Sequence, residues 1–262
     1  MPHGSLSYAL VRPEGRAPER WLLFLHGALG RGGNWRSIAR RVVDARPSFG
    51  AALVDLRAHG ASQGMPGPNT IAQAAIDLDG VVLPGPVGGV IGHSLGGKIA
   101  LASLGRRAVA ETWVIDANPG IGMNVHSATR EVVGALKAAG EVFASRREFG
   151  DRMTELGFGA LAEGLATNLV RNEQSFRLAL DLPAIEALID DYAATDLWPI
   201  VERPPPEARV QVVVGRRSGM FSAADRERLA ATPARVHELD TGHWVHVDDP
   251  DGMVRLLVEN LR

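Results

Sequence analysis

An α/β fold, with a mostly parallel central sheet and helices on both of its faces, is predicted for this 262-residue chain from three observations. Short continuous apolar runs read as strands buried on both faces, among them Trp21-Leu-Leu-Phe-Leu25, Ala51-Ala-Leu-Val-Asp55, Thr112-Trp-Val-Ile-Asp116 and Arg209-Val-Gln-Val-Val-Val-Gly215. Segments of helical spacing separate them, as a parallel sheet requires. The polar residues of interest cluster just after strand ends, where open α/β sheets build their sites.

In chain order, residues 5–12 alternate as an edge strand, and a polar loop follows from Pro13 to Arg20. The run 21–25 leads into His26-Gly27-Ala28-Leu29-Gly30. Asn34 is placed to cap a helix through Trp35, Ile38, Ala39, Val42 and Val43, which Pro47 and Gly50 end. After the strand at 51–55 comes Leu56-Arg57-Ala58-His59-Gly60-Ala61-Ser62, a Gly- and Pro-rich loop to Pro68, and a helix from about Thr70 to Val82.

Gly88-Gly-Val-Ile-Gly92 then runs into His93-Ser94-Leu95-Gly96-Gly97-Lys98, and Ala and Leu at helical spacing follow. The local reading is strand, very tight turn, helix. A nucleophile on such a turn leaves no room for side chains two residues either side, which accounts for Gly92 and Gly96. It would also aim the amide of Leu95 at a developing oxyanion. A phosphate-binding loop is the competing reading of Gly92-x-x-x-x-Gly97-Lys98, but that loop needs Ser or Thr where this chain has Ile99.

From Ala117 to Ala208 the pattern changes to helical stretches at 127–139, 147–156 and 174–190 with no convincing buried strand. So long an excursion exceeds one crossover helix. It predicts a helical cap at 117–208 inserted into a core made of 1–116 and 209–262. The strand at 209–215, a helix at about 222–231, a short strand at 236–239, the turn Asp240-Thr241-Gly242-His243 and a last helix from Asp249 or Pro250 complete the chain.

Composition narrows the functional classes. A net charge of −2 without long basic runs gives no footprint for nucleic acid or an anionic membrane. With no cysteine, disulfides, thiolate metal sites and a cysteine nucleophile are excluded, and no His or carboxylate cluster has metal-ligand spacing. The start, Met1-Pro2-His3-Gly4-Ser5, has no secretory pattern, so a cytoplasmic location is the expectation.

Ser94, Asp116 and His243 follow successive strands in the order Ser, Asp, His. In this order, and with His26-Gly27, Asp55-x-Arg-x-His-Gly-x-Ser62, Gly92-His-Ser-Leu-Gly-Gly-Lys98 and Gly242-His-Trp-Val-His246, the chain resembles the α/β-hydrolase superfamily, more narrowly its small esterase and acyl-thioesterase branch. The resemblance implies an α/β-hydrolase fold, Ser94 as nucleophile, His243 as base, and the amides of Ala28 and Leu95 as oxyanion hole, with no cofactor. His26, His59, His93 and His246 have structural explanations, and Asp55, Arg57 and His59 read as a polar network fixing their loop.

The acid departs from the commonest pattern of the fold, because Arg216-Arg217-Ser218-Gly219 after Gly215 has no carboxylate. Asp116 is the first choice, with Asp225 and Asp196 as the alternatives. The implied activity is cleavage of a small ester or thioester through an acyl-enzyme. Carbon–carbon or amide hydrolysis, cofactor-free perhydrolysis on the same triad, and a small-molecule receptor are the competing readings.

Overall fold

The computed structural model describes residues 4–104, 106, 109–122 and 126–262. Met1-Pro2-His3, on which the reading of the chain's start partly rests, lies outside them.

A seven-stranded sheet has the order β1-β3-β2-β4-β5-β9-β10. Its strands are β1 (Tyr8–Val11), β2 (Arg20–Leu25), β3 (Phe49–Val54), β4 (Val87–His93), β5 (Glu111–Ile115), β9 (Arg209–Gly215) and β10 (Arg235–Leu239). Only β1 runs antiparallel, against β3; every other neighbour pair is parallel. The apolar runs are buried on both faces for the reason their composition implies. On β2, Leu22 and Phe24 join one core cluster while Leu23 and Leu25 join the other, because successive side chains of a strand point to opposite faces.

Helices α1 (Arg36–Ala45) and α11 (Pro250–Asn260) cover the first face. Helices α2 (Ile71–Asp77) and α3 (Leu95–Ser103) lie over the second, and α9 (Ala223–Ala230) adds Leu229 to the same cluster. Between β5 and β9 the chain forms α4 (His126–Ala139), β6 (Val142–Phe143), α5 (Arg146–Glu155), α6 (Gly159–Leu165), β7 (Leu169–Asn172), β8 (Ser175–Leu178), α7 (Leu182–Ala194) and α8 (Trp198–Glu202). Among the described residues, none of this segment joins the large sheet. Helix α10 (Val245–Asp248) lies between β10 and α11.

Four local expectations need correction. The excursion between β5 and β9 is not purely helical, because β6, β8 and β7 form an antiparallel sheet of three strands. The stretch 174–190 opens with a strand, β8: α7 starts only at Leu182, where the Asp181 carboxylate accepts from the Ala184 N–H at 3.2 Å and Pro183 occupies the first turn. Asn34 does not cap α1. It sits inside a 3₁₀ turn, Gly32–Trp35, and accepts from the Arg31 N–H at 2.6 Å. The helix expected at 70–82 is capped by Thr70, but as an α-helix it ends at Asp77 and gives way to a 3₁₀ turn, Leu78–Gly80.

Among the described residues no helix is long and apolar enough to cross a membrane.

Candidate active site

Between β4 and α3 the chain reverses so sharply that Ser94 takes φ 52° and ψ −116°. That backbone region costs a non-glycine residue roughly 1–3 kcal/mol. Close packing imposes it. A Cβ on Gly92 would stand 2.1 Å from the Gly96 carbonyl oxygen, and one on Gly96 would stand 2.6 Å from that of His26. The tight turn raises the Ser94 hydroxyl off the carboxyl edge of the sheet.

His243 arrives from the loop after β10, and its Nε2 lies 3.1 Å from Ser94 Oγ. Its Nδ1 lies 2.8 Å from Asp116 Oδ2. Asp116 follows β5 and also has positive φ, 46°. It is completely buried, and its carboxylate accepts from the Gly215 N–H at 3.1 Å and from the Ser218 hydroxyl at 2.5 Å. With Asp116 accepting at Nδ1, that nitrogen carries the proton and Nε2 presents its lone pair to Ser94. The site is partly open, since the His243 side chain is 29% exposed.

Asp225 and Asp196 stand elsewhere. Asp225 caps α9, accepting from the Ser222 N–H at 2.9 Å and from Asn118 Nδ2 at 3.0 Å. Asp196 accepts from the Trp198 N–H at 3.0 Å at the start of α8.

Ala28 and Leu95 line one narrow cavity with Ser94, Thr129, Ile189, Tyr192 and Met220. Among the described residues neither the Ala28 nor the Leu95 N–H has a protein acceptor. The Ala28 loop is fixed by histidines. His59 Nδ1 donates to the Arg57 carbonyl at 2.8 Å, which leaves Nε2 to accept from the Leu29 N–H at 3.2 Å. His26 in the same way accepts from the Leu56 N–H at 3.0 Å. His93 donates from Nε2 to the carbonyl of His243 at 2.8 Å and so ties the end of β4 to the turn that carries His243.

Burial holds all three imidazoles below their ordinary range, His59 at about 4, and so keeps them neutral. His246, stacked on Trp35, is lowered by burial to about 4 as well. Asp55 and Arg57 complete the network. Asp55 accepts from the Gly32 N–H at 2.8 Å, and buried Arg57 pairs with Asp77 at 2.6 Å.

Lys98 does not face an anion site. It is completely buried, and its ammonium donates to the carbonyls of Gly120 and Tyr192 at 2.8 and 2.7 Å. Among the described residues no group of three or more His, Asp or Glu stands together as a metal site.

Two contributors had no sequence signal. Ser218 reaches Asp116 only because β5 and β9 are neighbours. Asn168, buried between β7 and α6, donates to the Leu29 carbonyl at 2.7 Å and couples the Ala28 loop to the segment between β5 and β9.

An open, mostly parallel sheet with a strained serine after one strand and its hydrogen-bonding partners after two others is the plan of the α/β hydrolases. Residues 22–256 match the model of the alpha/beta hydrolase family, and the chain belongs to that family. It is 29% identical to the sn-1-specific diacylglycerol lipase ABHD11 of Mus musculus over 94% of this chain and 81% of the relative. It is 27% identical to the esterase YbfF of Escherichia coli strain K12 over 90% of this chain and 91% of the relative. Among solved structures, a marine microorganism esterase superposes with a TM-score of 0.80 at 24% identity, covering 97% of this chain and 98% of its own.

Proposed function

We propose that this hydrolase cleaves small carboxylic esters or thioesters through an acyl-enzyme on Ser94. The observation that carries the reading is the continuous hydrogen-bonded line from Ser94 Oγ through His243 to the buried Asp116 carboxylate. A neutral hydroxyl attacks a carbonyl poorly, so His243 Nε2 takes its proton as the bond to carbon forms and returns it to the leaving alcohol or thiol. Asp116 holds the tautomer and stabilises the imidazolium. The amides of Ala28 and Leu95 receive the oxyanion. Water then enters and gives a proton to His243 as its oxygen bonds the acyl carbon; the bond to Ser94 Oγ breaks, Oγ takes that proton back from His243, and the acid leaves.

In this reading residues 117–208 form a cap over the core of 1–116 and 209–262. The relatives named as an esterase and a lipase support ester substrates. No step draws on a cofactor.

The test is the time course with p-nitrophenyl acetate. A burst stoichiometric with enzyme is expected, and Ser94→Ala or His243→Ala should each remove nearly all turnover in folded protein. Near-normal turnover by either variant refutes the mechanism. Binding without turnover by the wild type identifies a receptor instead.

A further inference from the structure

We propose that the cavity over Ser94 is an acyl pocket for a short, uncharged acyl group, with Ile189, Tyr192 and Met220 as the walls that limit chain length; this rests on Ser94 being the acylated residue. Three observations carry the assignment.

The first is size. The cavity measures about 20 Å³ on the scale where a single water needs roughly 10–15 Å³. A methylene group is about as large as a water, so the enclosed space takes roughly one to two carbons beyond the acyl carbonyl.

The second is rigidity. Ile189 and Tyr192 lie one turn apart on α7, both almost completely buried. The Lys98 ammonium stands 4.2 Å from the centre of the Tyr192 ring and also holds the Tyr192 carbonyl, so neither ring nor backbone has freedom to swing away. Met220 is fixed through its backbone, whose N–H donates to Ser218 Oγ at 3.2 Å and whose carbonyl accepts from Asn118 Nδ2 at 2.9 Å. A longer chain must therefore displace packed side chains or turn out through the open side of the cavity.

The third is charge. None of the lining side chains is ionisable as a cation, and among the described residues Lys98, beside the Tyr192 ring, is held by two carbonyls, and Arg130, next to Thr129 in the chain, pairs with Asp190. An acyl group ending in a carboxylate would be stripped of water with no partner, which is strongly unfavourable.

The experiment compares kcat/KM of the full chain for phenyl acetate, phenyl butyrate, phenyl octanoate and monophenyl glutarate, alongside labelling of Ser94 by an alkyl phosphonate read from intact mass. Acetate and butyrate should lie within ~10-fold of each other, and octanoate and glutarate should fall ~100-fold or more below butyrate. Met220→Ala should raise the octanoate-to-butyrate ratio ~10-fold, whereas Met220→Trp should lower the butyrate-to-acetate ratio by a similar factor.

If Ser94 is labelled yet octanoate or glutarate runs within about 3-fold of butyrate, the pocket assignment is overturned and the catalytic reading stands. If Ser94 is not labelled, both fall together. Ratios unmoved in both Met220 variants overturn Met220 as a wall.

Discussion

The Ser218 hydroxyl donates to Asp116 Oδ2 across 2.5 Å, joining the loop after β9 to the carboxylate that ends β5. The same oxygen faces His243 Nδ1. Ser218 therefore helps fix the direction in which the carboxylate meets the imidazole. It occupies the loop where many hydrolases of this fold carry the acid itself.

Losing Asp116 should affect turnover far more than losing Asp225, whose carboxylate caps α9 and accepts from Asn118 Nδ2. Asp116→Asn is expected to lower kcat by ~10²-fold or more and Asp225→Asn by less than ~3-fold. Ser218→Ala, which leaves the carboxylate but removes one donor, should fall between them at ~10–100-fold, about the range of one hydrogen bond to a charged group. Steady-state kinetics on the three variants decide this; a larger loss in Asp225→Asn than in Asp116→Asn would move the acid away from β5.

The parts of this arrangement that could be read from residues alone are those with local causes. Trp21 to Leu25 is apolar at every position and had to be a strand buried on both faces. Gly92 and Gly96 flank a turn that admits no Cβ at either place. Ser218 and Asn168 left no such mark, since their contacts span 102 and 139 residues and exist only because the sheet order and the packing of β7 bring them in. The strands β7 and β8 were hidden for another reason. Each is four residues long, and their hairpin turns through Glu173 at φ 33° without the glycine that usually announces such a turn.

Acid should destabilise the protein well above the range in which carboxylates titrate. His59 and His246 are neutral in the fold with values near 4, lowered by burial, whereas in the unfolded chain each takes up a proton near 6.5. Between these values the unfolded state binds more protons, so stability rises with pH. The contribution is complete above pH 6.5 and is lost as pH falls towards 4, by as much as about 3 kcal/mol per histidine.

His59→Gln retains an acceptor for the Leu29 N–H and a donor for the Arg57 carbonyl but does not titrate. Urea unfolding from pH 4.5 to 7.5 should show its stability falling less steeply than wild type, by about one proton's worth of slope. Parallel slopes would remove His59 as a source of the acid sensitivity.

Lys98 gives the opposite end of the pH scale its own signature. Its ammonium is buried between α3 and α7, with Asp196 and Asp191 as the charges that favour it, yet desolvation outweighs them and brings it from 10.5 down to about 8. From about pH 8 to 10.5 the folded protein has released a proton that the unfolded chain still holds. Stability therefore gains with pH over that window, by up to about 3 kcal/mol, because the cost of burying the charge disappears while a neutral amine keeps two N–H donors for Gly120 and Tyr192.

Lys98→Met removes both the charge and the donors. At pH 7 the loss of two buried hydrogen bonds competes with relief of the buried charge, and we expect a net destabilisation of about 1–3 kcal/mol. By pH 10.5 only the lost donors remain against an uncharged wild type, so the gap between the two proteins should widen steadily from pH 8 upwards. Chemical denaturation of both proteins at pH 7, 8, 9 and 10 measures that gap directly. A gap that stays constant or narrows with pH would show that the Lys98 amine is not held at a lowered value.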